Sequence, residues 1–331
     1  MFGMRRREFI TVLGGAAAVW PIAARAEQQP TRPVIGFMSS RSAADSEYLV
    51  SAFRKGLSEA GYIEDQDVTI EFRWANGRYD ELPALAADLL KRKIAVLVAV
   101  GGEPAALAAK SATSTIPIVF TVGGDPIKIG LVASINLPSG NATGVSLLAI
   151  APEAKRLAML HELVPKTDLI GVLINPKFVD FESRSQELAE AAHILDRRIE
   201  IFRASTDAEL QQAFDSITRE RAAAFIVTAD PFFDSRRDRI VAFAAEYRLP
   251  TIYQFREFAT AGGLMTYGIS ITEGYHQAGV YVGRILKGAK PAELPVHQSI
   301  KFELVINLKT ARELGIEIPA NLLALADEVI E

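Results

Sequence analysis

Short apolar runs alternate with amphipathic helical patterns along most of the chain, and this alternation limits the fold more than any other feature. Residues 34–38 form a continuous apolar run, typical of a strand buried on both faces, and residues 49–60 carry apolar side chains at helical spacing before Gly61. Strictly alternating strands and helices predict an α/β fold with parallel, doubly wound sheets. Further strands are predicted at 68–74, 95–100, 116–122, 169–174, 199–202, 223–227, 251–253, 264–267 and 301–306, and further helices at 82–90, 152–163, 182–195, 208–217, 236–247, 275–286 and 308–314.

The pattern starts again near residue 150, so the chain is predicted to build two similar lobes. Its 331 residues are enough for two ordinary domains. Lobe one is assigned to residues 33–147 plus about 254–289, and lobe two to 148–253 plus about 290–331. A chain that builds one lobe, then the other, and then returns to both crosses between them several times, which suits hinge closure about a cleft.

The first 26 residues have the features of a secretory signal peptide. Three arginines at 5–7 precede an apolar stretch at 12–20, and Ala24-Arg25-Ala26 offers a cleavage site of small residues. The run RREFI at 6–10 resembles the twin-arginine export motif, with general secretion as the alternative. The apolar stretch is too short to span a membrane, so no stable membrane insertion is predicted. We therefore expect a periplasmic protein whose signal peptide is cleaved after Ala26.

Several functional classes are excluded by what the sequence lacks. The absence of cysteine excludes disulfides, thiolate metal sites and cysteine nucleophiles, and a net charge of -4 gives no electrostatic footprint for nucleic acid. The phosphate-binding motifs G-x-G-x-x-G and G-x-x-x-x-G-K-[ST] and the nucleophile elbow G-x-S-x-G do not occur after the expected strands. We therefore predict a protein that is not an enzyme and uses no cofactor or metal. The charge run at 234–239 is interpreted as the solvated start of a helix.

The turns at the carboxyl ends of the predicted strands carry the candidate ligand-binding residues, because open α/β sheets bind ligands at that edge. Backbone N–H groups at 102–106 and two serine hydroxyls are expected to take an anionic group. Asp230 is expected to take an ammonium group, with a helix N-cap as its alternative role. Aromatic residues would form the apolar walls. The candidates are Ser39, Ser40, Gly102, Glu103, Ala105, Gly123, Asp125, Asn175, Phe178, Asp230, Phe232, Tyr253, Gln254 and Tyr267.

From about residue 33 to its C-terminus, the chain resembles the ABC-transporter substrate-binding proteins whose known members bind tryptophan or tyrosine. The matching stretches are VIGF at 34–37, FRKGL at 53–57, GY at 61–62, RWA at 73–75, IPIVF at 116–120, GDP at 124–126, GVS at 144–146 and KFELVIN at 301–307. The resemblance implies the type I periplasmic-binding-protein fold, with two lobes, three crossovers and a ligand in the cleft. It also implies permease and ATPase subunits as partners.

Glu103 departs from the pattern of this fold, because amino-acid binders often place Ser or Thr near that turn to hold a carboxylate. A glutamate that faced the cleft would repel a carboxylate. Glu103 thus counts against an amino-acid ligand unless its side chain points away. From the other candidate residues we expect a small amphipathic ligand, either an amino acid or an aromatic carboxylate. The expected protein is a monomeric receptor of an ABC importer; the alternative is a ligand-sensing receptor domain of the same fold that acts through a membrane partner.

Export is expected to remove residues 1–26, because a basic segment, a short apolar stretch and a small-residue site occur in that order. N-terminal sequencing of the periplasmic protein should therefore begin at Glu27. Replacing Arg6 and Arg7 with Lys should block export by the twin-arginine route. Unaffected export of that variant would indicate general secretion, and intact Met1 on the exported protein would contradict the cleavage site.

Overall fold

Two sheets flanked by helices form the framework of the computed structural model, which describes residues 32–148, 152–179, 181–299 and 301–331. The first sheet has six parallel strands in the order β11-β5-β4-β3-β1-β2, and the second has seven in the order β13-β12-β10-β9-β8-β6-β7. Within the second sheet, β10 and β12 run antiparallel and the other neighbours are parallel. The strands are β1 Val34–Ser39, β2 Thr69–Trp74, β3 Val96–Val100, β4 Ile118–Val122, β5 Ala142–Ser146, β6 Leu169–Ile174, β7 Arg198–Arg203, β8 Ala224–Val227, β9 Thr251–Tyr253, β10 Met265–Ile269, β11 His297–Gln298, β12 Phe302–Asn307 and β13 Glu328–Ile330.

Twelve α-helices of the described residues connect and cover these strands. They are α1 Glu47–Glu59, α2 Leu82–Leu90, α3 Glu103–Ala112, α4 Glu153–Leu163, α5 Phe181–Ile194, α6 Asp207–Arg219, α7 Pro231–Asp234, α8 Arg237–Glu246, α9 Arg256–Thr260, α10 Ile271–Leu286, α11 Leu308–Leu314 and α12 Ala320–Leu325. Short 3-10 helices occur at Ala44–Ser46, Tyr79–Glu81 and Pro291–Glu293. Within the described ranges, no helix is both long and apolar enough to cross a bilayer. The predicted signal peptide lies outside the described residues.

Strand β3 shows why the apolar runs form buried strands. Val96 and Val98 belong to one core cluster, whereas Leu97 and Ala99 between them belong to another. Because successive side chains of a strand point to opposite faces, a strand with helices on both sides must be apolar at every position. The continuous apolar runs therefore end up at the centre of each lobe, and the strand ends carry the polar turns.

The chain crosses between the two lobes three times, which confirms the predicted fold class: between β5 and α4, between β10 and α10, and between β11 and β12. The predicted lobe boundaries differ from this path in two places. Residues 254–269 were assigned to lobe one, but β10 pairs with β9 and β12 of the second sheet. Residues 290–298 were assigned to lobe two, but β11 pairs with β5 of the first sheet. Strand partners lie far apart in sequence, and local patterns carry no information about them.

Some short elements had no sequence signal. Strand β5 has the sequence ATGVS, whose small and polar residues form no apolar run, yet every residue of it is buried. Helix α10 begins at Ile271, four residues before its predicted start, because the Ser270 hydroxyl accepts a hydrogen bond from the Glu273 N–H and caps it. Helix α3, of ten residues, is not among the predicted helices. The boundaries of the other long elements agree with the prediction within about two residues.

Helix α10 is held in lobe one by unusually close packing against α1. A Cβ atom at Gly56 would overlap the carbonyl oxygen of His276, and one at Gly279 would overlap that of Phe53. Glycine therefore lets the two backbones touch at both positions. This contact fixes the helix that follows the second crossover, and the N-terminal turn of that helix lies at the boundary between the lobes.

Replacing Gly56 with Ala is expected to lower the free energy of unfolding by about 1–3 kcal/mol, because the overlapping atom is backbone and the helices must move apart. In a helix without this contact, Ala in place of Gly would raise the free energy of unfolding by about 1 kcal/mol. A decrease in the variant can therefore be attributed to the close packing. Urea denaturation measures the difference. Lys55→Ala is the matched control, since that neighbouring side chain is exposed; equal stability of the two variants would contradict the packing argument.

Candidate functional site

A cavity lies between the lobes, at the carboxyl ends of the strands of both sheets. It contains about 390 Å³ of non-atom space, including the part open to solvent at its mouth. Lobe one contributes Arg41, Gly101, Gly102, Glu103, Thr121, Val122, Gly123, Leu147, Ile271 and Tyr275, and lobe two contributes Phe178, Ala229, Asp230, Pro231, Asp234 and Phe255. The cavity therefore lies at the sheet edge where ligands of α/β proteins bind.

A buried ion pair between Arg41 and Asp234 joins the lobes at one side of the cavity. Arg41 follows β1 in lobe one, and Asp234 ends α7 in lobe two. The amide nitrogen of Gln254 also donates to Asp234. Although burial by itself lowers the pKa of Arg41, the nearby Asp234 carboxylate raises it above its usual value, so the guanidinium stays charged. Its Nε and Nη1 atoms have no hydrogen-bond partner among the described residues.

Asp230 uses its two carboxylate oxygens differently. Its Oδ1 accepts three hydrogen bonds: from the Tyr79 hydroxyl at 2.8 Å, the Asn175 amide at 3.1 Å and the Phe232 N–H at 2.8 Å. The bond from Phe232 makes Asp230 the N-cap of α7, and the bond from Tyr79 comes from the other lobe. Its Oδ2 has no partner among the described residues. The capping role and a ligand-binding role can therefore belong to different oxygens of one side chain.

Burial raises the pKa of Asp230 to about 6, although the hydrogen bonds from Asn175 and Tyr79 act to lower it. Burial and the adjacent Asp230 charge raise the pKa of Tyr79 well above its usual value, so its hydroxyl keeps the proton that it donates. Asp230 is thus an ionised carboxylate at neutral pH that is protonated as the pH falls through about 6.

Glu103 points its carboxyl group into the same region from lobe one. It is the first residue of α3 and only 1% exposed, and its Oε1 accepts a hydrogen bond from the Gly124 N–H at 2.6 Å. Its Oε2 has no partner among the described residues. Burial raises the pKa of this carboxyl above its usual value, against the effect of hydrogen bonds from backbone N–H groups and of the Arg184 charge.

A second buried ion pair lies behind the cavity in lobe two. Arg184 on α5 donates to both oxygens of Glu153 on α4 and, at 3.2 Å, to the carbonyl oxygen of Ala229. Its guanidinium carbon lies 4.8 Å from the ring centre of Phe178, which lines the cavity. This arrangement holds both Phe178 and the turn before Asp230 in place. The remaining walls are largely apolar, formed by Val122, Leu147, Phe255 and Ile271.

Five of the fourteen residues proposed from the sequence line the cavity: Gly102, Glu103, Gly123, Phe178 and Asp230. Three others support a lining residue from behind. The Ser39 hydroxyl accepts from the Arg41 N–H at 3.1 Å, Asn175 donates to Asp230, and Gln254 donates to Asp234. The expected anion site on the serine hydroxyls is therefore not part of the cavity surface, and the Arg41 guanidinium lies there instead.

The other six proposed residues lie outside the cavity lining. Ser40 is fully buried, and Ala105 belongs to the core of lobe one. Asp125 is exposed and accepts from the Ile127 N–H, which stabilises a turn. The three aromatic residues pack elsewhere: Phe232 under Arg236, Tyr253 on Phe258 and Tyr267 on Phe302.

Two charged residues that line the cavity were not proposed from the sequence. Arg41 is the third residue after the predicted first strand, so the sequence already placed it at the carboxyl end of that strand, where ligand-binding residues are expected. Asp234 was interpreted as part of a solvated charge run, and this was wrong, because its side chain is buried against Arg41. A local charge pattern cannot show that the other lobe covers the start of that run. Among the described residues, no cluster of three His, Asp or Glu side chains could hold a metal ion.

Comparison with known proteins gives consistent matches over nearly the whole described chain. Residues 35–330 match the family described as ABC transporter substrate binding protein. A curated protein of Clostridioides difficile (strain R20291), named tyrosine-binding protein, is 28% identical over 266 residues, which are 80% of this chain and 76% of that protein.

Two solved structures share the fold. One is a conserved domain protein from Vibrio cholerae, with a TM-score of 0.82 and 26% identity, covering 90% of this chain and 99% of that one. The other is an ABC domain from Streptococcus pneumonia in complex with L-Trp, with a TM-score of 0.80 and 26% identity, covering 91% of this chain and all of that one. Both matches extend across the two lobes that enclose the cavity.

Proposed function

Since the chain belongs to the family of ABC transporter substrate-binding proteins, we propose that it is the exported receptor of an ABC importer. It captures an amino acid in the cavity between its lobes and delivers it to a membrane permease that an ATPase subunit drives. Two similar proteins support this class of ligand: one is named tyrosine-binding protein and the other was solved with L-Trp. The signal peptide predicted at residues 1–26 supports a periplasmic location.

One observation carries the choice of an amino acid: buried groups of opposite charge face one cavity with free hydrogen-bonding atoms. Arg41 offers two N–H groups that have no partner among the described residues, and Asp230 offers an equally free carboxylate oxygen. Asp230 caps helix α7 and Asp234 ends it, so the free Asp230 oxygen and the Arg41–Asp234 pair belong to residues about one helical turn apart. An α-carboxylate on Arg41 and an ammonium on Asp230 fit this separation, and the apolar walls take the side chain.

Ligand binding is coupled to closure because residues of both lobes contact the cavity. The Arg41–Asp234 ion pair and the Tyr79–Asp230 hydrogen bond join the lobes in the described conformation. A solute that touches both lobes has more contacts in the closed state than in the open one, so it shifts the equilibrium toward closure.

A screen of the twenty proteinogenic amino acids by thermal shift tests this function first. At least one is expected to raise the melting temperature, because a ligand that binds only the folded state stabilises it. Small-angle scattering at saturation should then show a smaller radius of gyration. In the source cells, deletion of the gene should abolish uptake of that labelled amino acid. Binding with unchanged uptake would contradict the transport role and favour the sensing alternative.

Replacing Asp230 with Asn is expected to weaken binding of that amino acid by about thirtyfold or more, since removing the partner of a buried charge costs about 2–5 kcal/mol. The melting temperature without ligand should barely change, because Asn also caps helices well. In the wild type, lowering the pH from 8 to 5 should weaken binding by about tenfold, since protons compete for a carboxylate with a pKa of about 6. Titration calorimetry measures both effects.

The Asp230→Asn variant should show a weaker pH dependence of binding over the same range. If Asp230 were only an N-cap, the wild type and the variant would show the same pH dependence. Asp125→Asn is the matched control, because that carboxylate is exposed in lobe one and only stabilises its own turn. Unchanged affinity of Asp230→Asn would show that the residue acts as a helix cap alone.

A further inference from the structure

The buried charges of the described chain do not balance. Seven charged side chains are less than one-tenth exposed: the carboxylates Glu103, Glu153, Asp230 and Asp234, and the guanidinium groups of Arg41, Arg156 and Arg184. Four negative charges thus face three positive ones. Because a buried charge is costly unless it is paired, a surplus carboxylate in a protein interior either takes up a proton, as the raised pKa values of Glu103 and Asp230 allow, or is paired with a cation from elsewhere.

The surplus falls on two residues at the cavity. Asp234 pairs with Arg41, and Glu153 pairs with Arg184 and, at 3.5 Å, with Arg156. Glu103 and Asp230 form no salt bridge within the described ranges, and each has one oxygen without a hydrogen-bond partner there. Their side chains are 1% and 2% exposed, so bulk water does not solvate those oxygens in the described conformation.

The two carboxylates lie on neighbouring loops that touch across the cleft. Gly102, the residue before Glu103, has a backbone φ of +95°, and a Cβ atom there would lie 3.0 Å from Cγ of Pro231. Pro231 directly follows Asp230. The charge of Arg184 also acts on both carboxylates. Glu103 from lobe one and Asp230 from lobe two thus line one cavity, on loops that touch each other.

We propose that Glu103 and Asp230 together hold one cationic amino group of the ligand, and that Glu103 makes this group a requirement for binding. The proposal rests on the receptor function above and adds a selectivity that the family match does not supply. Two free carboxylate oxygens on opposite sides suit an ammonium, a compact charge with three N–H donors. Carboxylates that lack an amine are rejected, because they would place a third negative charge beside two unpaired ones.

The same arrangement makes lobe closure depend on the cation. Without a ligand, closure either brings two negative charges together in a region of low dielectric or requires uptake of a proton, and both cost free energy at neutral pH. With an ammonium between them, each lobe contributes one charge-assisted hydrogen bond, and these are the stronger kind. The cation therefore stabilises the closed state in particular, whereas a ligand held by Arg41 alone would leave the repulsion in place.

Matched probes test the requirement for an amine. The twenty proteinogenic amino acids are titrated first, together with two amines that lack the carboxylate, phenethylamine and 3-methylbutylamine, and their acid counterparts that lack the amine, 3-phenylpropanoate and 4-methylpentanoate. Each amino acid that binds is then compared with its own des-amino acid. The wild type is expected to bind the amine-bearing member of each pair at least about tenfold more tightly. The acid counterpart leaves the buried carboxylates without a charge partner, and such a loss costs at least that factor in affinity.

The Glu103→Gln variant isolates the contribution of this residue. Gln keeps the volume of the side chain and an oxygen for the Gly124 N–H, but it removes the charge. Affinity for the amine-bearing probe is expected to fall about tenfold or more, and the preference over the des-amino acid should shrink by the same factor. Asp125→Asn in the same lobe is the matched control and should leave both unchanged, since Asp125 is exposed and outside the cavity lining.

The melting temperature of ligand-free Glu103→Gln, compared with that of the wild type, distinguishes a loss of affinity from a loss of folding. Removing a buried charge without a cation partner should leave this temperature equal to or above that of the wild type. Equal affinity of the wild type for amines and des-amino acids, or an unchanged preference in Glu103→Gln, overturns the proposal while the receptor function stands. Binding of none of the probes overturns both.

Discussion

Burial of charge at the boundary between the lobes is the constraint on which the rest of the structure depends. A guanidinium or carboxylate that leaves water costs several kcal/mol unless it is paired with good geometry. The Arg41–Asp234 and Arg184–Glu153 pairs meet this requirement, one across the lobes and one within lobe two. A buried ion pair adds little net free energy once desolvation is counted, so such a contact specifies how the lobes meet without locking them together.

Helix α7 concentrates this chemistry in a single turn. Asp230 caps its first residue, Pro231 suits the first helical position, and Asp234 ends it, so both carboxylates project toward lobe one. One Asp230 oxygen serves the cap and Tyr79, while the other has no partner among the described residues and is available for the proposed ligand. The strand ends of lobe one complete the cavity with Glu103, which binds the Gly124 N–H through one oxygen. Both lobes thus present a half-satisfied carboxylate.

The sequence predicted well those features that depend on neighbours along the chain. Apolar runs predicted nearly all the long strands, because a strand buried on both faces of a sheet must be apolar throughout. Helical spacing predicted the long helices except α3. The candidate residues at strand ends included Glu103 and Asp230 for the same local reason. Strand β5 and the lobe assignment of β10 and β11 were missed, since they depend on hydrogen-bond partners from distant segments. Asp234 was misjudged because its exposure depends on the other lobe.

The sequence by itself therefore determined the fold class, the family and the edge of the sheets at which the cavity lies, because periodicity, strand ends and motif stretches are local properties. Only the tertiary structure decided which of the polar residues at those ends share a cavity. It paired Arg41 with Asp234 across 193 positions and Tyr79 with Asp230 across 151. It also left Glu103 and Asp230 without a cation among the described residues. Charge balance in a protein interior is a property of three-dimensional neighbours, and no spacing along the chain encodes it.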